Sequence, residues 1–172
     1  YLSAYDWLAK AYTALGDGVS AQRVLMDGVA KSPRTLQRQK DLGESAYQNE
    51  DLDTAQGAFE AVLEFGKFSS FTEPEDFANL SRTFLDKGEY DQALTVMNSA
   101  RKTFENSPQV MLHASVMYSM IHDKAGNKEA AERAFGEART LFDAAVNKPE
   151  SLALDMVRSC FQHGYQEEKE KI

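Results

Sequence analysis

The sequence predicts an all-α chain, an α-solenoid of helix–turn–helix repeats ending in a capping helix, on three observations. A small-residue signature recurs four times, with Ala21, Ala55, Ala93 and Ala131 each followed four residues later by a larger apolar residue, Leu25, Phe59, Met97 and Phe135. The intervals between those alanines, 34 (21 to 55), 38 (55 to 93) and 38 (93 to 131), have the period of a helix–turn–helix array with two inserts of about one helical turn. Apolar residues also recur at helical spacing, as in Leu8, Tyr12 and Leu15 or Val96, Ala100 and Phe104, and no run alternates as a strand would.

Each unit divides into two helices around a turn. The predicted pairs are Leu2 to Leu15 with Val19 to Lys31, Thr35 to Gln48 with Asp53 to Phe65, and Glu75 to Lys87 with Asp91 to Phe104. The fourth runs from Pro108 to Lys124 and from Lys128 to about Val146, and a ninth, capping helix covers about Pro149 to His163. The repeats then span about 2–35, 36–69, 74–107 and 108–146 of one domain over residues 1–165, with the capping helix at about 149–164 and a charged tail at 166–172. Ser32-Pro33 and Ser107-Pro108 place a hydroxyl cap before a first-turn proline, and Thr72 with Glu75, like Asn147 with Glu150, has capping-box spacing. Gly16, Gly88, Gly126 and Gly164 end helices because glycine takes the left-handed conformation cheaply, and Glu50 holds the equivalent place in the second unit. Twelve residues before each signature alanine stand Ala9, Gly43, Ser81 and Ser119, all small, as the close approach of two antiparallel helices requires; large neighbours such as Leu8, Leu42, Leu80 and Tyr118 fill the remaining space.

These residues resemble the tetratricopeptide repeat: Leu42-Gly43, Tyr12, Ala21, Leu25 and Pro33 match its pattern over nearly the whole chain. The signature tryptophan is replaced by Tyr5, Gln39, Phe77 and Ser115, and the Leu-Gly pair is intact once. The resemblance implies a right-handed solenoid whose first helices line a concave, partner-binding face. The face it implies carries Trp7, Lys10, Lys40, Glu44, Tyr47, Asn79, Arg82, Met117, Met120 and Asp123, with Asp6, Thr13, Asp41 and Leu85 beside them, a mixture of cationic and apolar contacts suited to an extended peptide or a partner helix. Trp7 and the methionines could equally pack between adjacent first helices. A subset of the family clamps a chaperone's C-terminal carboxylate with amides and cations; here the matching sites read Asp6 and Trp7, Lys40 and Asp41, Glu75 and Asn79, which disfavours that ligand.

A narrower resemblance is carried by Tyr5-Asp6-Trp7-Leu8-Ala9, by Ser32 to Gln39, by Leu42-Gly43-Glu44 and by Pro74 to Leu80. These strings look like the C-terminal repeat region of bacterial response regulators. The resemblance implies an output module in two-component signalling, coupled to a receiver domain by a two-state docking contact.

Composition narrows the remaining choices. Among 172 residues, 19 basic and 27 acidic side chains leave a net charge of −8, so the surface repels phosphate backbones and anionic headgroups, and neither nucleic acid nor membrane is expected as a partner. No stretch approaches the ~20 apolar residues of a membrane span, and the chain is expected to be cytoplasmic. Residue 1 is Tyr1, already inside an amphipathic helix, which reads as an excised fragment. No catalytic triad, phosphate loop or metal spacing can be assembled, so no catalytic residue, metal or cofactor is expected. His122 and the single cysteine, Cys160, fall on core sites, and His113 lies off the face a helical metal pair with His122 would need. The insert between Phe65 and Pro74 contains Phe65, Phe68 and Phe71, which either pack back on neighbouring helices or form a partner-binding lip. The second insert is expected to lengthen the helix Pro108 to Lys124 and make it protrude. The expected function is a protein-interaction module, with a self-associating scaffold or homodimer as the first alternative and an enzyme or small-ligand binder as the second.

Overall fold

The structure is a computed structural model that describes residues 1, 3–67, 71–105, 107–145, 153 and 156. It contains the helices α1 (Ser3–Ala14), α2 (Gly18–Lys31), α3 (Leu36–Gln48), α4 (Leu52–Gly66), α5 (Pro74–Asp86), α6 (Tyr90–Thr103), α7 (Pro108–Lys124) and α8 (Lys128–Ala144), with no strand among the described residues. The predicted helices are these eight, to within one or two residues at each end. The predicted ninth helix and the charged tail lie outside the described residues, except that Ala153 and Met156 are helical and Met156 is buried. Phe68, Cys160, His163 and Gly164 also lie outside them.

The turn inside each repeat is built the same way four times. Asp17, Asp51, Glu89 and Asn127 donate their N–H to the carbonyls of Tyr12, Ala46, Phe84 and His122 at 2.8–2.9 Å, while Gly16, Glu50, Gly88 and Gly126 donate to Thr13, Tyr47, Leu85 and Asp123 at 3.0–3.1 Å. This pair of bonds closes the helix end only if the residue before the longer bond is left-handed. Gly16, Gly88 and Gly126 have φ of 77°, 79° and 80°, and Glu50 is forced into the same region at 62°. The next residue then opens the second helix: Asp17, Asp51 and Asn127 accept the N–H of Ser20, Thr54 and Ala130, whereas Glu89 makes no such bond.

Two of the expected caps are placed differently. Ser32 ends α2 instead of starting α3, its hydroxyl 2.6 Å from that of Thr35, because the Pro33-Arg34 step delays the helix to Leu36. Thr72 donates to the Gly66 carbonyl, and the capping contact at α5 moves one residue along, with Asp76 accepting the Glu73 N–H at 2.8 Å. Ser107 before Pro108 caps α7 as expected, accepting the Val110 N–H.

The helices group into two compact units, residues 1–83 and 84–172, with the boundary inside α5. In the first, α1 packs on α2, α2 on α3 and α3 on α4. Its core contains Ala9, Val24, Leu25, Leu42 and Ala58, with Tyr5, Tyr12 and Val29 packed against it. In the second, α6 packs on α7 and α7 on α8, around Ala93, Met97, Val116, Ile121, Phe135 and Phe142. The expectation that α7 protrudes is not met. Its buried residues, from Val110 and Leu112 through Ser115 to Ile121, face every direction, as expected of a helix that is apolar or small all round.

Candidate functional site

Within the first unit, α1 and α3 are first helices of successive repeats, and their facing sides leave an open cleft of about 640 Å³. Asp6, Ala9, Lys10, Thr13 and Ala14 form the α1 wall; Asp41, Glu44, Ser45 and Gln48 form the α3 wall, and Leu25 of α2 adds an apolar surface. The spacings explain the lining. Residues 6, 9, 10, 13 and 14 share one face of a 3.6-residue helix, and so do 41, 44, 45 and 48.

Cross-links between successive first helices hold the walls in register. Arg38 on α3 donates Nε to Asp6 Oδ1 at 2.8 Å and Nη2 to Asp6 Oδ2 at 3.0 Å, a two-pronged pair on a nearly buried guanidinium. The hydrogen bonds from Arg38 hold the Asp6 carboxyl below the usual carboxylate range. One repeat further, Lys40 reaches Asp76 at 2.8 Å, Glu73 at 3.6 Å and the Phe71 carbonyl at 3.4 Å, tying α3 to the entry of α5. Behind the cleft, Asn49 donates to the Gly18 carbonyl at 2.9 Å and to Gln22 Oε1 at 2.8 Å, and Gln22 donates to Asp51 at 2.6 Å.

Of the charges that remain on the cleft walls, the carboxylates of Asp41 and Glu44 outnumber the single ammonium of Lys10. Asp41 accepts only a neutral amide, Gln37 Nε2, at 2.8 Å, and neither Asp41 nor Glu44 has an ion-pair partner among the described residues. Glu44 reaches solvent, yet the surrounding walls strip water from its carboxyl and raise its pKa; Asp41, Glu75 and Asp76 push it the same way, and Lys40 only partly offsets them. The Lys10 ammonium stands 5.3 Å from the Trp7 ring centroid.

The structure distributes the expected site residues unevenly. Lys10 and Glu44 line the cleft, with Trp7 beside them at 71% exposure. Tyr47 is half-buried, and Lys40 is occupied by α5. Asn79 accepts a 2.8 Å hydrogen bond from Arg82 on α5, so that arginine is engaged within its own helix. In the second unit, Asp123 is half-buried, but Met117 and Met120 are 1% and 0% exposed: they are core residues with no surface to offer a partner, because α7 is enclosed on those sides. Phe65 carries the Arg34 guanidinium 6.0 Å from its ring centroid, and Phe71 is 72% exposed. His122 stacks at a tilt on Tyr118, 6.4 Å between centroids, and His113 is buried on α7. Ser45, Gln48 and Leu25 were not expected at the site; the first two stand four residues beyond Asp41 and Glu44, a helical spacing that extends the same face.

Among the described residues no group of three or more His, Cys, Asp or Glu is placed to hold a metal ion, and no helix is long and apolar enough to cross a membrane.

No family model and no curated protein matches the chain. Solved structures do. MamA from strain MSR-1 superposes with a TM-score of 0.67 at 19% identity, covering 84% of this chain and 78% of its own. MamA residues 41 to the end from Desulfovibrio magneticus RS-1 gives 0.67 at 14%, covering 99% and 95%. A Podosopora anserina protein described as a kinesin light chain with nearly identical TPR-like repeats gives 0.67 at 15%, covering 99% and 90%. At these identities the similarity establishes the fold, an all-α helical repeat of the tetratricopeptide-like kind.

Proposed function

We propose that this chain is a protein-interaction module that holds an extended segment of a partner in the cleft between α1 and α3. The observation that carries the reading is the cleft itself: an open space of about 640 Å³ between two first helices, with apolar surface from Ala9, Ala14 and Leu25 and hydrogen-bonding side chains on both walls. Paired first helices held in register by Arg38–Asp6 form a rigid trough, which lowers the entropy lost when an extended peptide is ordered. The neighbouring structures share the helical-repeat fold. The test is a displayed peptide library selected on the intact chain and re-measured on Ala14→Trp, which fills the cleft from an exposed helical position. Sequences that bind the original chain and lose Ala14→Trp, with the thermal midpoint unchanged, support the reading. Sequences that bind both equally overturn it.

A self-associating scaffold is the second reading, and a specific observation favours it. Leu8 is 47% exposed, whereas the residues at the same repeat position, Leu42 and Leu80, are 6% and 4% exposed, and Trp7, Leu15 and Val19 are open with it. Sedimentation that depends on concentration, and is abolished by Leu8→Glu with Leu15→Glu, would decide for a homodimer. The finer assignment, a cytoplasmic output module of a bacterial response regulator, rests on the strings around residues 5–9, 32–39 and 74–80. It requires a receiver domain in the same gene upstream of Tyr1, and sequencing that region tests it.

A further inference from the structure

We infer that the segment this cleft receives is a cationic one, an extended stretch of a partner protein that places a lysine or arginine between α1 and α3. The inference rests on the docking reading above and adds the chemistry of the occupant.

The cleft walls carry three carboxylates, Asp6, Asp41 and Glu44, against one ammonium, Lys10. Arg38 gives both its hydrogen bonds to Asp6, and Asp41 feels the same guanidinium only through space. The nearest other cation on α3, Lys40, is held by Asp76 at 2.8 Å and is directed to α5. Asp41 and Glu44 stand one helical turn apart with no ion-pair partner among the described residues. Their repulsion is relieved by a cation from outside and aggravated by an acidic ligand. The partial loss of water that raises the Glu44 carboxyl also favours a charge-assisted hydrogen bond over its hydrated alternative. Lysine and arginine have the matching shape: the aliphatic stem lies along Ala14 and Leu25 while the head reaches the carboxylates.

The experiment uses fluorescence anisotropy on the intact chain with two labelled twelve-residue peptides of alternating Arg-Ala and Glu-Ala. The Arg-Ala peptide is expected to bind, to weaken with salt, and to weaken roughly tenfold on Asp41→Asn with Glu44→Gln, the weight of one lost charge-assisted hydrogen bond. The control is Glu132→Gln with Glu137→Gln, which removes the same charge from exposed positions of α8 and is expected to leave binding unchanged. Equal weakening by both pairs would mean adsorption to an acidic protein of net charge −8 and would overturn the inference. So would binding of the Glu-Ala peptide as tightly as the Arg-Ala one. A neutral peptide from the displayed library that binds and is lost with Ala14→Trp would keep the cleft as a docking site and overturn only its cationic occupant. Loss of every peptide's sensitivity to Ala14→Trp would overturn the docking reading instead.

Discussion

The ring of Phe59 on α4 occupies the space that a side chain at Gly43 on α3 would need: a β-carbon at position 43 would lie 2.5 Å from one ring carbon and 2.7 Å from the next. This is the tightest form of the small-against-large rule that runs through the repeats, where Ala9, Ser81 and Ser119 hold the other equivalent places, all buried. Gly43→Ala is expected to cost about 1–3 kcal/mol by overpacking, read as a lower urea midpoint with an unchanged slope. Phe59→Leu in the Gly43→Ala background should recover part of the loss, and strict additivity of the two changes would show that the contact is not the cause.

Glu50 is the one member of the four equivalent turn positions that is not glycine, and it sits at φ 62°. Glu50→Gly is expected to stabilise the chain by about 1 kcal/mol, because the left-handed penalty of a residue with a β-carbon exceeds the added flexibility of the unfolded chain. Gly88→Ala should cost a similar amount. Thermal midpoints of the two variants, moving in opposite directions, check the assignment.

Glu89 has the right place for a cap and the wrong length. Its three counterparts, Asp17, Asp51 and Asn127, each accept a backbone N–H of the next helix, and Glu89 does not. Glu89→Asp should gain about 0.5–1 kcal/mol by supplying that acceptor. The 3.5 Å pair that Glu89 makes with Lys87 is partly exposed and its loss subtracts little. An unchanged midpoint would mean that the α6 entry is already satisfied by water.

Asp6 and Arg38 predict an acid-dependent loss. The folded pKa of Asp6 lies below its ordinary value, so its contribution is present above about pH 4 and disappears as pH falls through the folded value. Arg38→Gln should therefore cost about 1–2 kcal/mol at pH 7, a figure reduced from that of a fully buried pair because Asp6 is a third exposed, and progressively less as the pH falls through the folded value of Asp6. A cost independent of pH would assign the effect to packing of the arginine stem.

Glu44 has the opposite sign. Its folded pKa is raised, so its contribution is complete below the ordinary carboxylate value and is lost as pH rises through the folded one. Glu44→Gln should raise the thermal midpoint slightly at pH 7 and leave it unchanged near pH 3. A lower midpoint at pH 7 would show that the ionised carboxylate has a stabilising partner.

Helices, turns and repeat pairing were legible in the amino-acid sequence because they rest on local chemistry that recurs: the small residues in all four repeats and a left-handed glycine in three of the four turns. The site was legible only in part. Register on the first helices put Lys10 and Glu44 on the cleft walls and left Trp7 exposed beside them, but the same register also selected Met117 and Met120, which are core. Periodicity tells which face of a helix a residue occupies and not what that face meets, and α7 is apolar or small all round, so its phase carries no exposure.

The sequence by itself determined the net acidity, which is a sum over residues, and the fold class, helix pairs and turn geometry, which rest on patterns within one helical turn and on their recurrence from repeat to repeat. Only the tertiary structure decided which charges remain available. Asp6 and Arg38 are thirty-two residues apart, and Lys40 and Asp76 thirty-six; nothing in their local patterns couples them. Once folding brings the first helices of successive repeats together, those pairs close, and Asp41, Glu44 and Lys10 are the charges left on the cleft walls.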